Sequence, residues 1–137
     1  KPLKMRDTDK TMNQLYKSLG KLFYAVAICD GSVHIKEWDK VEEIVKEKWL
    51  YVDNFTDRYG ADAANQIEII FDWLLEYEKT SEECFQEFKE FYEEHPHAFS
   101  EEIKSLTKET TNAIANSFSK KNKSELMLLA KIELLLK

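Results

Sequence analysis

Along most of this chain apolar residues recur at intervals of three and four, the spacing of one face of an α-helix. In the first such run Leu15, Leu19, Leu22, Val26 and Cys29 share a face, and Phe23 and Ala27 widen it. Residues 1–7 lack the pattern and read as a flexible lead-in. Thr8 or Asp9 can cap the helix, which then reaches to about Cys29. Gly20 falls inside it, where glycine costs about 1 kcal/mol relative to alanine; close approach of another helix at that point would account for it. Asp30-Gly31 ends the run, since glycine readily takes the left-handed conformation that closes a helix. A second helix begins near Ile35, with His34 at the N-cap and Glu37 at the third position, where it can reach back to a free backbone N–H. Trp38, Val41, Val45 and Trp49 or Leu50 form its buried stripe. Lys36, Asp39, Lys40, Glu42 and Glu43 form a solvated face.

Residues 51–61 read as a connector, with turn formers at Asp53-Asn54, Asp57 and Gly60 and with Tyr51, Phe55 and Tyr59 tucked onto the core. Asp62 can cap a third helix over about 63–79. Its apolar set runs from Ile67 through Tyr77 and covers most sides, which predicts a central position. Thr80-x-x-Glu83 is a capping box opening a helix to about Glu94, with Cys84, Phe85, Phe88, Phe91 and Tyr92 on one face. Pro96 stops it. Ser100 caps a fifth helix over 101–118, with Ile103, Leu106, Thr110, Ala113 or Ile114, and Phe118 inward. Residues 119–124, SKKNKS, form a polar turn, and Asn122 or Ser124 caps the last helix. There Leu126, Leu129, Ile132, Leu135 and Leu136 are expected inside. The pattern predicts an all-α, compact, single-domain bundle of six to seven helices over residues 8–137.

The 137 residues suit one core, and three glycines and two prolines are too few for a turn-rich β fold. Neither a signal peptide nor an apolar run near the roughly 20 residues that span a bilayer is visible, so membrane insertion is not expected and a cytoplasmic location is. The two cysteines, Cys29 and Cys84, sit within helical patterns and read as reduced core thiols. The net charge of −6 is unevenly spread. Residues 1–21 and 104–137 each carry a net +4, and residues 22–103 carry −14. So acidic a middle repels phosphate, which argues against nucleic acid. The acidic stretch reads either as a solvated surface facing basic ends or as a face for cations or a basic partner.

One corner carries candidate chemistry. Gly31 precedes Glu37 by six residues, as glycine precedes the bidentate glutamate of an EF-hand loop. The positions that should supply the first carboxylates are Val26 and Ile28, which excludes a standard EF-hand. Asp30 and Glu37 nevertheless flank a tight corner, and with a loop carbonyl and waters they could hold a hard cation, Ca²⁺ or Mg²⁺ in preference to Zn²⁺, with Asp39 as a further ligand. The alternative is structural: Asp30 closes an Asx turn and Glu37 caps its helix.

The series Ala27, Asp30, Gly31, Val33 and Glu37, at the junction of two apolar helices, resembles the TerB-like (tellurite-resistance) family, which includes the helical domain of DjlA-type co-chaperones. The resemblance is strongest over residues 19–50. It implies a bundle of about seven helices in two similar halves, a negatively charged surface that binds divalent metal, and a stress-response role through protein partners. In the second half Glu125 aligns with Glu37, but Phe118 and Ser119 stand where Asp and Gly would be.

Other constellations are weaker. Glu94-His95-Pro96-His97 lacks a second ligand pair at zinc spacing. His34 is a lone histidine near Asp30 and reads as a cap. Cys29 beside Asp30 is a poor nucleophile, because a neighbouring carboxylate raises a thiol pKa. No phosphate-binding, dinucleotide-binding or hydrolase motif is present. The expected function is therefore a non-enzymatic module that engages a protein partner, with a cation site at Asp30 and Glu37. The alternatives are a metal-dependent hydrolase with an acidic helical core and a purely structural accessory domain.

Overall fold

The computed structural model describes residues 2–29, 35–49, 61–77, 79–117 and 123–137, with side chains beginning at Gln14, Trp38 and Ile67 in the first three stretches. These residues form six α-helices, one 3₁₀ turn and no strand, an all-α bundle as the periodicity requires. The helices are α1 (Pro2–Ile28), α2 (Ile35–Trp49), α3 (Ala61–Glu76), α4 (Ser81–Glu94), α5 (Glu101–Ser117) and α6 (Lys123–Leu135), with the 3₁₀ turn at Pro96–Ala98. No helix among the described residues is long and apolar enough to cross a membrane.

The axis of the bundle is α1, which packs against α3, α4, α5 and α6. Its expected stripe of Leu15, Leu19, Leu22, Phe23, Val26 and Ala27 is buried. So are Tyr16, Ser18, Tyr24 and Ala25 on its other sides. The central place expected of α3 therefore belongs to α1. Ile67, Phe71 and Leu74 bury one face of α3, and α3 packs on α1 and α2 alone among the helices with extensive contacts. The physical reason lies in side-chain size. Gly20 lets α1 and α3 close tightly: a Cβ there would collide with the Ile70 Cγ2 methyl, 3.3 Å from Ile70 Cβ and 3.4 Å from the Ile67 carbonyl. The close approach that the sequence predicted at Gly20 is thus the α1–α3 seam.

Helix starts follow local chemistry. Proline suits the first turn of a helix, where its missing N–H is not needed, and α1 begins at Pro2, ahead of the expected cap at Thr8 or Asp9. Helix α3 starts at Ala61 and takes in Asp62 rather than being capped by it, and it ends at Glu76, short of the expected 79. At α4 the capping box forms in both directions: the Glu83 N–H donates to Thr80 Oγ1 at 3.1 Å and the Thr80 N–H to Glu83 Oε1 at 3.0 Å. Ser100 Oγ accepts from the Ile103 N–H at 3.1 Å, capping α5 as expected. The 51–61 connector, up to Gly60, and Phe118 lie outside the described residues.

Aromatic rings join the layers. Phe23 of α1 meets Trp49 of α2 at 5.8 Å, Tyr24 stacks on Trp38 at 5.6 Å, and Trp38 meets Phe71 of α3 at 5.4 Å. The buried Trp49 indole donates to Thr110 Oγ1 of α5 at 3.0 Å, which satisfies its one polar atom. Three threonines of α5 are buried beside it. Their hydroxyls donate to carbonyls one turn back, Thr107 to Ile103, Thr110 to Leu106 and Thr111 to Lys108. After the 3₁₀ turn, Phe99 folds back onto Phe88, Phe91 and Tyr92 of α4.

Candidate functional site

Asp30, Gly31 and His34 lie outside the described residues. Glu37 falls in the first turn of α2, as its spacing predicted, and its side chain lies outside the described atoms. Asp39 is exposed on α2. Its charge bears on Glu42, whose carboxyl is raised above its ordinary value by burial, then by Glu68 and Asp72 of α3, with Asp39 adding to the effect and Lys46 opposing it. Lys46 Nζ lies 3.3 Å from Glu68 Oε1 across the α2–α3 seam. Among the described residues no group of three or more His, Cys, Asp or Glu side chains is arranged to hold a metal.

The histidine candidates are structural in setting. The His95 ring stacks on Phe91 at 4.5 Å, with Nδ1 3.3 Å from the Phe91 carbonyl. His97 is exposed in the 3₁₀ turn. Both cysteines are free thiols, in line with the sequence reading. Cys84 is buried in the core, and burial, with Glu87 adding, pushes its thiol up to about 11. Cys29 is half-buried and donates to the Val26 carbonyl at 3.2 Å.

What the structure adds is a groove of about 770 Å³ between α4 and α6. Both helices pack on α1, and the pair is not among the extensively packed ones, which leaves a cleft above the end of α1. Ser81 Oγ donates to the Ala25 carbonyl at 2.8 Å and ties the start of α4 to α1 at the cleft floor, beside Cys29. On the α4 wall stand Glu82, Phe85, Gln86 and Lys89, and on the α6 wall Met127, Leu128, Lys131 and Leu134. Each set recurs at three- and four-residue spacing, so each wall is one helix face. Among the described residues neither Lys89 nor Lys131 has an ion-pair partner, and Glu82 is the one carboxylate in the lining.

Helix α6 also departs from its expected orientation. Leu128, Ile132 and Leu136 are buried, while Leu126 is 54 % exposed, Met127 55 % and Leu134 70 %. Glu125 is buried in its first turn. Reading Leu126 as inward assigned one stripe to a helix with leucines on nearly every side. The excess of apolar residues over what one face needs was the signal of a second apolar surface. The same excess appears on α3 and the turn that follows it, where Ile69, Trp73 and Tyr77 are exposed at four-residue spacing and the Trp73 and Tyr77 rings meet at 4.6 Å.

Set against known protein families, characterised proteins and solved structures, the chain has no significant match.

Proposed function

We propose that this chain is a non-enzymatic protein-interaction module of TerB-like type, acting in a stress response through a protein that docks on the α4–α6 groove. The observation that carries the reading is the groove itself, a cleft of mixed apolar and polar lining whose Met127 and Leu134 are left open to water. Apolar area left in water forgoes about 25 cal/mol per Å², and a contiguous exposed apolar surface is the usual mark of a binding face. The lining supports association over hydrolysis, because one carboxylate, Glu82, stands among amide, hydroxyl, ammonium and hydrocarbon groups and a two-carboxylate or metal-assisted reaction needs more than that. In the same proposal a divalent cation held by Asp30 and Glu37, Ca²⁺ or Mg²⁺, tunes the partner's affinity; its support is the residue pattern of that corner.

Site-specific photocrosslinking in the native cell tests this. A photoreactive side chain at Met127 or Leu134 is expected to capture a discrete protein, and one at the exposed Glu109 of α5 is not. Repeating the capture with Ca²⁺, Mg²⁺ or a chelator, on the natural chain and on Glu37→Gln, reads the cation. Equal labelling at all three positions removes the interaction reading, and labelling indifferent to metal and to Glu37 removes the cation from it.

A further inference from the structure

The groove's two walls differ in charge from most of the surface around them. The chain is acidic overall, at −6, and long-range attraction would bring a basic partner to most of it. The groove is different: Lys89 rises from the α4 wall and Lys131 from the α6 wall, against a single Glu82. Two acidic side chains of these helices are engaged away from the groove, while Glu90, Glu93 and Glu94 of α4 stand outside the lining. Glu87 is held by Lys21 at 2.8 Å and Lys79 at 3.0 Å, and Glu133 by Lys108 at 3.8 Å. Within the lining itself the two lysines outnumber the one carboxylate, and neither is ion-paired among the described residues.

Shape narrows the occupant further. The α4 wall from Glu82 to Lys89 and the α6 wall from Met127 to Leu134 each cover seven residue steps, about 10 Å at the rise of an α-helix. A cleft of that length between two helices matches two turns of a third helix laid along it, the helix-in-groove mode of peptide recognition. Phe85, Met127, Leu128 and Leu134 supply the apolar seat, and methionine adapts readily to different side chains.

We propose that the α4–α6 groove is a docking site for an acidic amphipathic helix of another protein, its apolar face seated on Phe85, Met127, Leu128 and Leu134 and its carboxylates paired with Lys89 and Lys131. The proposal rests on the interaction-module reading and adds the partner's chemistry to it. Charge reversal at the lysines changes which helix is preferred without touching the buried core, since Lys131 is exposed and Lys89 half-exposed.

The test is selection from a displayed library of random helical peptides of about 14 residues, roughly 21 Å long when helical. Binders are taken on the natural chain and counter-selected against Met127→Asp. The peptides recovered are expected to carry apolar residues at i, i+3 or i+4 and i+7 and an excess of Asp and Glu. A recovered peptide made synthetically is expected to bind Lys89→Glu/Lys131→Glu at least about tenfold more weakly, a difference of 1.4 kcal/mol, and its Glu-to-Lys counterpart to prefer that variant. Circular dichroism of both variants confirms that the bundle is intact. Groove-dependent peptides that are neutral or basic overturn the proposal, as does acidic binding indifferent to the two lysines. So does the recovery of no peptide sensitive to Met127→Asp. If crosslinks at Met127 and Leu134 persist in cells while any of these results is found, the partner's chemistry is wrong and the interaction reading stands; if the crosslinks also fail, both fall.

Discussion

Helices α1 and α3 lie against each other and are used in opposite ways. From Leu15 to Ala27 nearly every side chain of α1 is buried, Lys17 and Lys21 excepted. Helix α3 is the more apolar of the two by composition, yet it buries one face and leaves Ile69, Trp73, Leu75 and Tyr77 in water. The count of apolar residues does not decide which helix is central. Small residues decide it here: Gly20, Ala25 and Ala27 let several neighbours approach α1 at once, whereas the bulk of Trp73 and Tyr77 serves an outward surface. A wide apolar circumference is thus compatible with either a buried axis or a peripheral helix with a second apolar face.

The seam between the two helices offers the largest test of this contrast. Gly20→Ala improves helix propensity by about 1 kcal/mol, so an isolated helix would gain. In the bundle the new Cβ meets Ile70, a β-branched residue with little freedom to turn aside. The expected net outcome is a loss of about 1–3 kcal/mol in chemical denaturation. Ile70→Ala removes the methyl in the way, so the double variant is expected to lose less than the sum of the two single losses. Additivity would mean that Gly20 is not the contact that seats α3 on α1.

A smaller effect is expected where α1 is tied to α4. Burial alone would raise the Glu87 carboxyl, but hydrogen bonds and charge from Lys21 and Lys79 outweigh it and hold it below its ordinary value. A depressed carboxylate contributes stability above its unfolded pKa, here 4.5, and that contribution disappears as pH falls through the lower folded value. The pair is partly exposed, so screening keeps the gain to about 1 kcal/mol or less. Glu87→Gln is expected to lose that amount at pH 7 and almost nothing once the pH is well below 4, in denaturation at matched ionic strength. An equal loss at both pH values would assign the effect to packing rather than charge.

Much of the bundle was legible in advance for local reasons. The capping box at Thr80 and Glu83, the cap at Ser100, the break at Pro96 and the stripes of α2 and α4 depend on residues within a turn of one another, and each is present. Which helix lies at the centre depends on how several helices share one core, and periodicity of a single segment carries no information on that. The groove was hidden for the same reason. Phe85 and Lys89 read as ordinary members of α4, and their meeting with Met127 and Lys131 of α6, some 40 residues on, comes from both helices resting on α1. Burial of Thr107, Thr110 and Thr111 was likewise only partly foreseen, because a hydroxyl bonded back to its own helix behaves as an apolar group.

The smallest expected effect gives the sharpest division between the two helices. Trp73→Lys removes one of the largest apolar side chains in the molecule, and by residue type alone it should be severe. Truncating a buried tryptophan costs about 3–5 kcal/mol. Trp73 is 43 % exposed, and its ring contact is with Tyr77, itself 61 % exposed on the same face. Lysine keeps part of the covered area through its long hydrocarbon stem, and its helix propensity is good. The expected change in stability is within about ±0.5 kcal/mol, the range of surface substitutions, with higher solubility as the apolar stripe is broken. Denaturation of Trp73→Lys beside Trp49→Phe makes the comparison internal: the latter ring is fully buried and bonded to Thr110, so the milder substitution should be the more damaging one. If Trp73→Lys instead unfolds the chain, that face of α3 is covered in the folded protein, and α3 shares the core with α1 after all.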